Sequence, residues 1–321
     1  VDEQGFGCRD LNAANDAQVS DLHLDVSIDP APASAFIERF QGLKYSADEV
    51  LIAGGARPVI YGIYSTLIDP GDKVIYPVPS WNNNHYCHLM QAKGVAVEAL
   101  PENNFMPTAD AIRPHLKGAV LLALCSPQNP TGTVFTKDQL QVICDMVLEE
   151  NNSRRPDEKP LYLMYDQIYS ALTFGENHHY DPVSLCPDLR PYTIFVDGLS
   201  KSIAATGIRV GWAFGPVNVI DKMKSILSHV GAWSPKAEQV AAGRFMANTE
   251  AVSTYMTHFK KEVEDRLHAF YDGFTDMHNA GLGVRCIEPM AAIYLTVQFD
   301  LKGKKTADGK VLATTEDITD F

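Results

Sequence analysis

Residues 196–216 read "VDGLSKSIAATGIRVGWAFGP", and this stretch decides the fold. An apolar, β-branched start leads into a polar middle, and a second apolar run closes it. The middle holds one lysine, Lys201, directly after Ser200, and one arginine, Arg209, with a glycine two residues away on either side. Short apolar runs bounded by glycine and serine read as buried strands, so the stretch predicts two strands joined by a functional loop. Working outward, "EVLIAGG", "KVIYPVP", "VAVEAL", "GAVLLALCSP" and "LYLMYDQIY" repeat the strand signal. Amphipathic stretches such as "RPVIYGIYSTLI" and "TKDQLQVICDMVLEE" alternate with them, with Thr136 a candidate helix cap. "GAVLLALC" is apolar throughout, which calls for burial on both faces. The expected class is therefore α/β: a large domain with a mostly parallel seven-stranded sheet covered by helices, plus a smaller α+β domain from the chain ends.

The expected division is an N-terminal segment at 1–45, a large cofactor-binding domain at 46–217, and connecting helices with a small C-terminal domain at 218–321. Beyond residue 217 the texture changes to long helical runs, after which "VRCIEP" and "AAIYLTVQFD" read as strands. The chain starts without Met and stops on the helix-like "TEDITDF", so a longer product is expected. Its 321 residues carry 27 basic and 40 acidic side chains, a net charge of -13, which argues against a nucleic-acid surface. Six cysteines are scattered without a C-x-x-C pair, so neither a metal site nor a disulfide framework is expected, and a reducing, cytoplasmic setting fits. No run is long and apolar enough for a membrane span.

Ligands of parallel sheets sit at the carboxyl ends of strands. Polar clusters follow the strand-like runs at Gly54-Gly55-Ala56-Arg57, at 126–132, at Asp166 to Tyr169, and at Ser200-Lys201. Lysine forms Schiff bases with carbonyls. A glycine turn opening a helix supplies N–H groups for a phosphate, which Ser200 and Arg209 can reinforce. Asp166 at a strand end suits a protonated pyridine nitrogen. Asn129 and Tyr169 can serve a phenolate oxygen, and Trp81 can stack on a ring. This set describes a pocket for pyridoxal 5'-phosphate. His178 and His179 fall in a polar loop and are expected in solvent, and the asparagines at 82–84 are expected to cap a helix.

"SPQNPTG", "YDQIY" and "SKSIAATGIRVGW" resemble the N-P-x-G, D-x-x-Y and lysine motifs of the class I/II aminotransferases of pyridoxal-phosphate fold type I, in that family's order. "GGAR" is similar to its phosphate turn and "PSW" to its ring-stacking aromatic. The resemblance runs from about residue 47 to 293. It implies that Lys201 carries the Schiff base and shuttles the proton, that Asp166 pairs with the pyridine N–H, and that Asn129 and Tyr169 bond the ring oxygen. It further implies that Trp81 stacks on the ring, and that Ser200, Arg209 and the backbone at Gly55, Ala56 and Arg57 hold the phosphate. The implied reaction is ping-pong amino transfer between an L-amino acid and a 2-oxo acid in a homodimer. Two family features have no match here. One is the arginine for the substrate α-carboxylate, since Arg285 comes too early. The other is the partner subunit's tyrosine on the phosphate, since residues 1–44 hold no tyrosine. Two alternatives keep the fold: a C–S lyase or decarboxylase with the same cofactor, and a non-catalytic ligand-sensing domain of a transcription regulator, against which the acidic charge argues.

Overall fold

The computed structural model describes residues 30–320, so most of the N-terminal segment expected at 1–45 lies outside the described residues. Seven strands form one sheet: β1 (Val50–Ala53), β2 (Lys73–Val78), β3 (Lys93–Glu98), β4 (Ala119–Cys125), β5 (Tyr162–Asp166), β6 (Thr193–Gly198) and β7 (Gly211–Phe214). Their order across the sheet is β1-β7-β6-β5-β4-β2-β3. Strand β7 runs antiparallel to β1 and β6, and every other pairing is parallel. The antiparallel return has a local cause. Residues 199–210 hold only a four-residue helix and a 3-10 turn, not the long crossover helix that a parallel return requires.

Strand periodicity sorts the core into two layers. Along β4, Leu122 and Leu124 point into one apolar cluster and Leu121 and Ala123 into the other. The first layer is closed by helices Ala31–Gln41 and Lys137–Ser153, through Phe36, Ile37, Leu140, Ile143 and Val147. The second is closed by helices Ala56–Leu67 and Val217–His229, through Val59, Ile63, Ile220 and Met223. Each fully buried aliphatic side chain stabilises the sandwich by about 1.5–3 kcal/mol. Thr136 caps its helix as expected, accepting from Gln139 N–H at 3.2 Å while the Gln139 side chain accepts from Thr136 N–H at 3.0 Å.

Glycines let three strand ends converge. A Cβ on Gly198 would lie 2.7 Å from Gly211 Cα, and one on Gly211 would lie 2.7 Å from the Gly55 carbonyl carbon. The ends of β6 and β1 and the start of β7 thus meet at backbone contact, which no side chain would permit. That contact brings the Ser200-Lys201 loop, Arg209 and the Ala56 helix start to one place.

Beyond β7 the chain runs through helices Lys236–Ala247 and Thr249–Asn279, the second of 31 residues. A two-stranded antiparallel sheet follows, β8 (Val284–Cys286) with β9 (Val297–Phe299). The strand expected over "AAIYLTVQFD" is therefore largely absent. Residues 291–296 instead give their hydrogen bonds to loops of the large sheet: Ala291 N–H to Gly132 O at 2.9 Å and Ala292 N–H to Leu172 O at 2.7 Å. Strand β5 likewise ends at Asp166, because the Asp166 carboxylate turns the chain by accepting from Ile168 N–H at 3.1 Å.

Candidate active site

The cleft has a volume of about 290 Å3 and lies at the carboxyl ends of the central strands. Its walls carry Ala56, Arg57, Trp81, Asn129, Asp166, Tyr169, Ser200, Lys201 and Arg209, nine of the ten residues singled out from the sequence. The tenth, Gly55, stands behind them. Its φ is +101°, and a Cβ there would lie 2.4 Å from Arg209 Nη2. Gly55 is thus the seat of the Arg209 guanidinium, which donates to Gly54 O at 2.9 Å and Thr206 O at 2.8 Å. Arg209 itself adopts φ 54°, a left-handed conformation that turns its side chain back across β1.

The helix Ala56–Leu67 begins at this point, so the first N–H groups, at Ala56 and Arg57, have no preceding turn to bond. The helix start at Ala56 and Arg57, Ser200 and the Arg209 guanidinium line one end of the cleft, a donor set that suits an anion. Arg57 also lies 5.2 Å from the Trp81 ring centroid, a cation–π contact on a half-exposed indole.

Asp166 is 8% exposed. Burial pushes its carboxyl up to about 6, opposed only by the Ile168 N–H. Among the described residues no cation pairs with this carboxylate, and a protonated ring nitrogen in the cleft would supply one. Lys201 sits on the helix Leu199–Ser202, with its ammonium 5.8 Å from the centroid of the Tyr169 ring.

Five further wall residues had no signal in the sequence, the apolar Ile60 and Ile168 and three that carry a hydroxyl or thiol. Tyr294 reaches in from the 291–296 segment, and its hydroxyl hydrogen-bonds that of Tyr169. Burial raises both phenols, Tyr169 far above the usual tyrosine range. The Cys125 thiol ends β4 beside Asp166, and burial, then the Asp166 charge, raises it strongly. Thr206 lines the wall near Arg209.

The neighbours of the site residues point elsewhere, into a second cavity of about 200 Å3 lined by Gln41, Gln167, His179, Asp197 and Ser202 among others. There Gln41 Nε2 donates to Asp197 Oδ2, Gln167 Nε2 donates to Gln41 Oε1 at 2.9 Å, and His179 Nε2 meets Gln167 Oε1 at 3.2 Å. His179 is thus not a solvated loop residue. Burial lowers it to about 4, because this chain of side chains draws its ring inward. Burial also lifts Asp197 to about 7, against the pull of the Gly198 N–H, Gln41 and Gln167. Nor do the asparagines cap their helix by side chain: Asn82 makes no capping bond, and buried Asn83 accepts from Tyr64 at 3.0 Å.

Among the described residues no helix is long and apolar enough to cross a membrane. The family model "Aminotransferase class I and II" matches residues 11–318. The aspartate aminotransferase of Geobacillus stearothermophilus is 31% identical over 276 residues, 83% of this chain and 65% of that protein. The aspartate/prephenate aminotransferase of Thermus thermophilus is 29% identical, over 83% of this chain and 66% of that protein. The chain thus spans just under two thirds of the length of these curated relatives. Among solved structures, the aspartate aminotransferase of Thermus thermophilus with maleate superposes at a TM-score of 0.73 and 27% identity, covering 83% of this chain and 65% of that one. That of Rhizobium meliloti shares the fold, at a TM-score of 0.82 and 24% identity, over 91% of this chain and 70% of that one.

Proposed function

The chain belongs to the class I and II aminotransferases, and from that premise we propose that it transfers an amino group between an L-amino acid and a 2-oxo acid with pyridoxal 5'-phosphate. The observation that carries this reading is the meeting in one cleft of Lys201, the cation-seeking Asp166 and the anion cradle at Ala56 and Arg209. The donor set fits the cofactor group by group. Ala56 and Arg57 N–H, Ser200 and Arg209 would hold the phosphate. Asp166 would hold the proton on the ring nitrogen, Asn129 and Tyr169 would bond the ring oxygen, Trp81 would cover the ring, and Lys201 would supply the amine that links to the cofactor's aldehyde.

Once bound, the cofactor supplies an electron sink that makes a substrate Cα–H bond acidic. The chain's own part is positional and protonic. Lys201 Nζ takes the proton at the substrate Cα and returns it on the far side of the transfer, as a base held within one loop of the strand end. An ionised Asp166 would keep the ring nitrogen protonated, and the low polarity that raises Asp166 when alone would strengthen that charge pair. A homodimer in the cytoplasm, with the neighbouring subunit adding a contact to the phosphate, accompanies this reading. The relatives' names make aspartate the first amino donor to assay.

Lys201→Ala tests the assignment. The variant should bind pyridoxal phosphate without the visible band of a lysine-linked Schiff base and should lose amino transfer. Full turnover in that variant would sink the reading.

A further inference from the structure

Tyr294 lies 125 residues from Tyr169, on a segment that no motif marks, yet the two hydroxyls share a hydrogen bond at the cleft. Its position is fixed from several sides. Phe174 N–H donates to Met290 O at 2.9 Å, and Ala291 and Ala292 donate to Gly132 O and Leu172 O. The Thr296 hydroxyl donates to Thr131 O at 2.9 Å. Gly132, at φ +72°, lets the backbone of Tyr294 approach so closely that a Cβ there would lie 2.5 Å from Tyr294 O. The Tyr294 ring stands edge-on to that of Tyr169, with centroids 5.5 Å apart and planes at 70°. Phe259, Val263 and Leu267 of the long helix pack into the same apolar cluster. These bonds fix the backbone that carries the ring, and the edge-on contact and shared hydrogen bond with Tyr169 set where the ring points.

Each phenol has one proton to give. Between two phenols one donates and the other accepts, and the choice decides where the second proton points. If Tyr169 donates to Tyr294, it has nothing left for an acceptor in the cleft. If Tyr294 donates, the Tyr169 proton is free to point inward. An anionic oxygen in the cleft selects the second arrangement, because the first would leave it facing a lone pair.

We propose that Tyr294 is a positioning residue: it donates to the Tyr169 hydroxyl, aims the Tyr169 proton at the ring oxygen of the bound cofactor, and so links the 291–296 segment to the cofactor's electronics. The inference rests on the reading of the cleft as a pyridoxal-phosphate site. A donor to the ring oxygen lowers the proton affinity of the lysine–cofactor linkage, and a donor that is itself hydrogen-bonded lowers it further.

The test uses the cofactor-loaded full chain and its Tyr294→Phe, Tyr169→Phe and doubly substituted forms. Phenylalanine keeps the edge-on ring contact and removes only the hydroxyl. The readout is the pH titration of the visible band. Tyr294→Phe should raise the linkage pKa by about half to one unit, the size of one net hydrogen bond. Tyr169→Phe should raise it more, and the double variant should match Tyr169→Phe alone, because Tyr294 acts only through Tyr169. Near-UV circular dichroism of the apo variants checks that the fold is retained. An unshifted titration in Tyr294→Phe, or single effects that simply add, overturns the proposal while leaving the cofactor site intact. A wild-type chain that develops no lysine-linked band overturns the underlying reading instead.

Discussion

Replacing Asp166 by Asn should move two stabilities in opposite directions. Burial raises this carboxyl from 3.8 to about 6 in the cofactor-free protein. A carboxyl whose folded pKa lies above its unfolded one favours folding most below about pH 4, where both states hold the proton, and that advantage fades as pH rises through about 6. At about 1.4 kcal/mol per unit, ionisation of Asp166 costs the folded apo protein about 1.6 kcal/mol at pH 5 and about 3 kcal/mol at pH 8. Asparagine keeps the acceptor for Ile168 N–H and carries no charge. It also relieves Asp197, which the Asp166 charge pushes upward. Apo Asp166→Asn should therefore be more stable than wild type in urea denaturation, by about 3 kcal/mol at pH 8 and roughly half that at pH 5. Cofactor binding should respond the other way. A neutral amide cannot pair with a protonated ring nitrogen, and losing one partner of a buried charge pair is worth several kcal/mol. Titration with pyridoxal phosphate at pH 8 should show binding weaker by about a hundredfold or more. An apo variant less stable than wild type at pH 8, or a gap that widens on acidification, would refute the burial argument. Unchanged cofactor affinity would refute the role of Asp166 at the ring nitrogen.

Three further outcomes follow from named contacts. Gly55→Ala should push Arg209 from its seat, since the new Cβ would fall 2.4 Å from Nη2; cofactor titration should show at least about a tenfold loss of affinity, the worth of one charge-assisted bond. Gly132→Ala should separate the N-P-T-G loop from residues 291–296, and with φ at +72° the urea midpoint should fall by the equivalent of about 1–3 kcal/mol. Gln41→Leu removes a donor to Asp197, whose carboxyl burial already holds at about 7. A still higher folded pKa makes ionisation costlier, so the variant should lose about 1–3 kcal/mol at pH 8 and much less at pH 5, measured by urea denaturation at both.

The legible part of this protein lies close together along the chain. Ser200, Lys201 and Arg209 fall within one loop, Asp166 and Tyr169 within one turn, and the strand-end rule then sends each cluster to the same edge of the sheet. The sheet covered by helices was legible for the same reason: the unbroken apolar run of β4 and the spacing along Ala56–Leu67 are local patterns that burial repeats faithfully. What only the tertiary structure decided involves partners far apart in sequence. The sequence of "AAIYLTVQFD" satisfies strand periodicity, but its backbone found better partners at Gly132 and Leu172, and that choice carried Tyr294 to Tyr169. His179 sits in a polar loop by composition, yet Gln167, Gln41 and Asp197 gather around it from three other segments. Periodicity tells a residue which face it occupies and says nothing about which distant residue it will meet there. The sequence by itself therefore determined which polar clusters gather at the one sheet edge. Packing alone decided which phenol backs Tyr169 and which side chains close on Asp197, because the 291–296 segment and the helix Ala31–Gln41 reach the strand ends only in the folded chain.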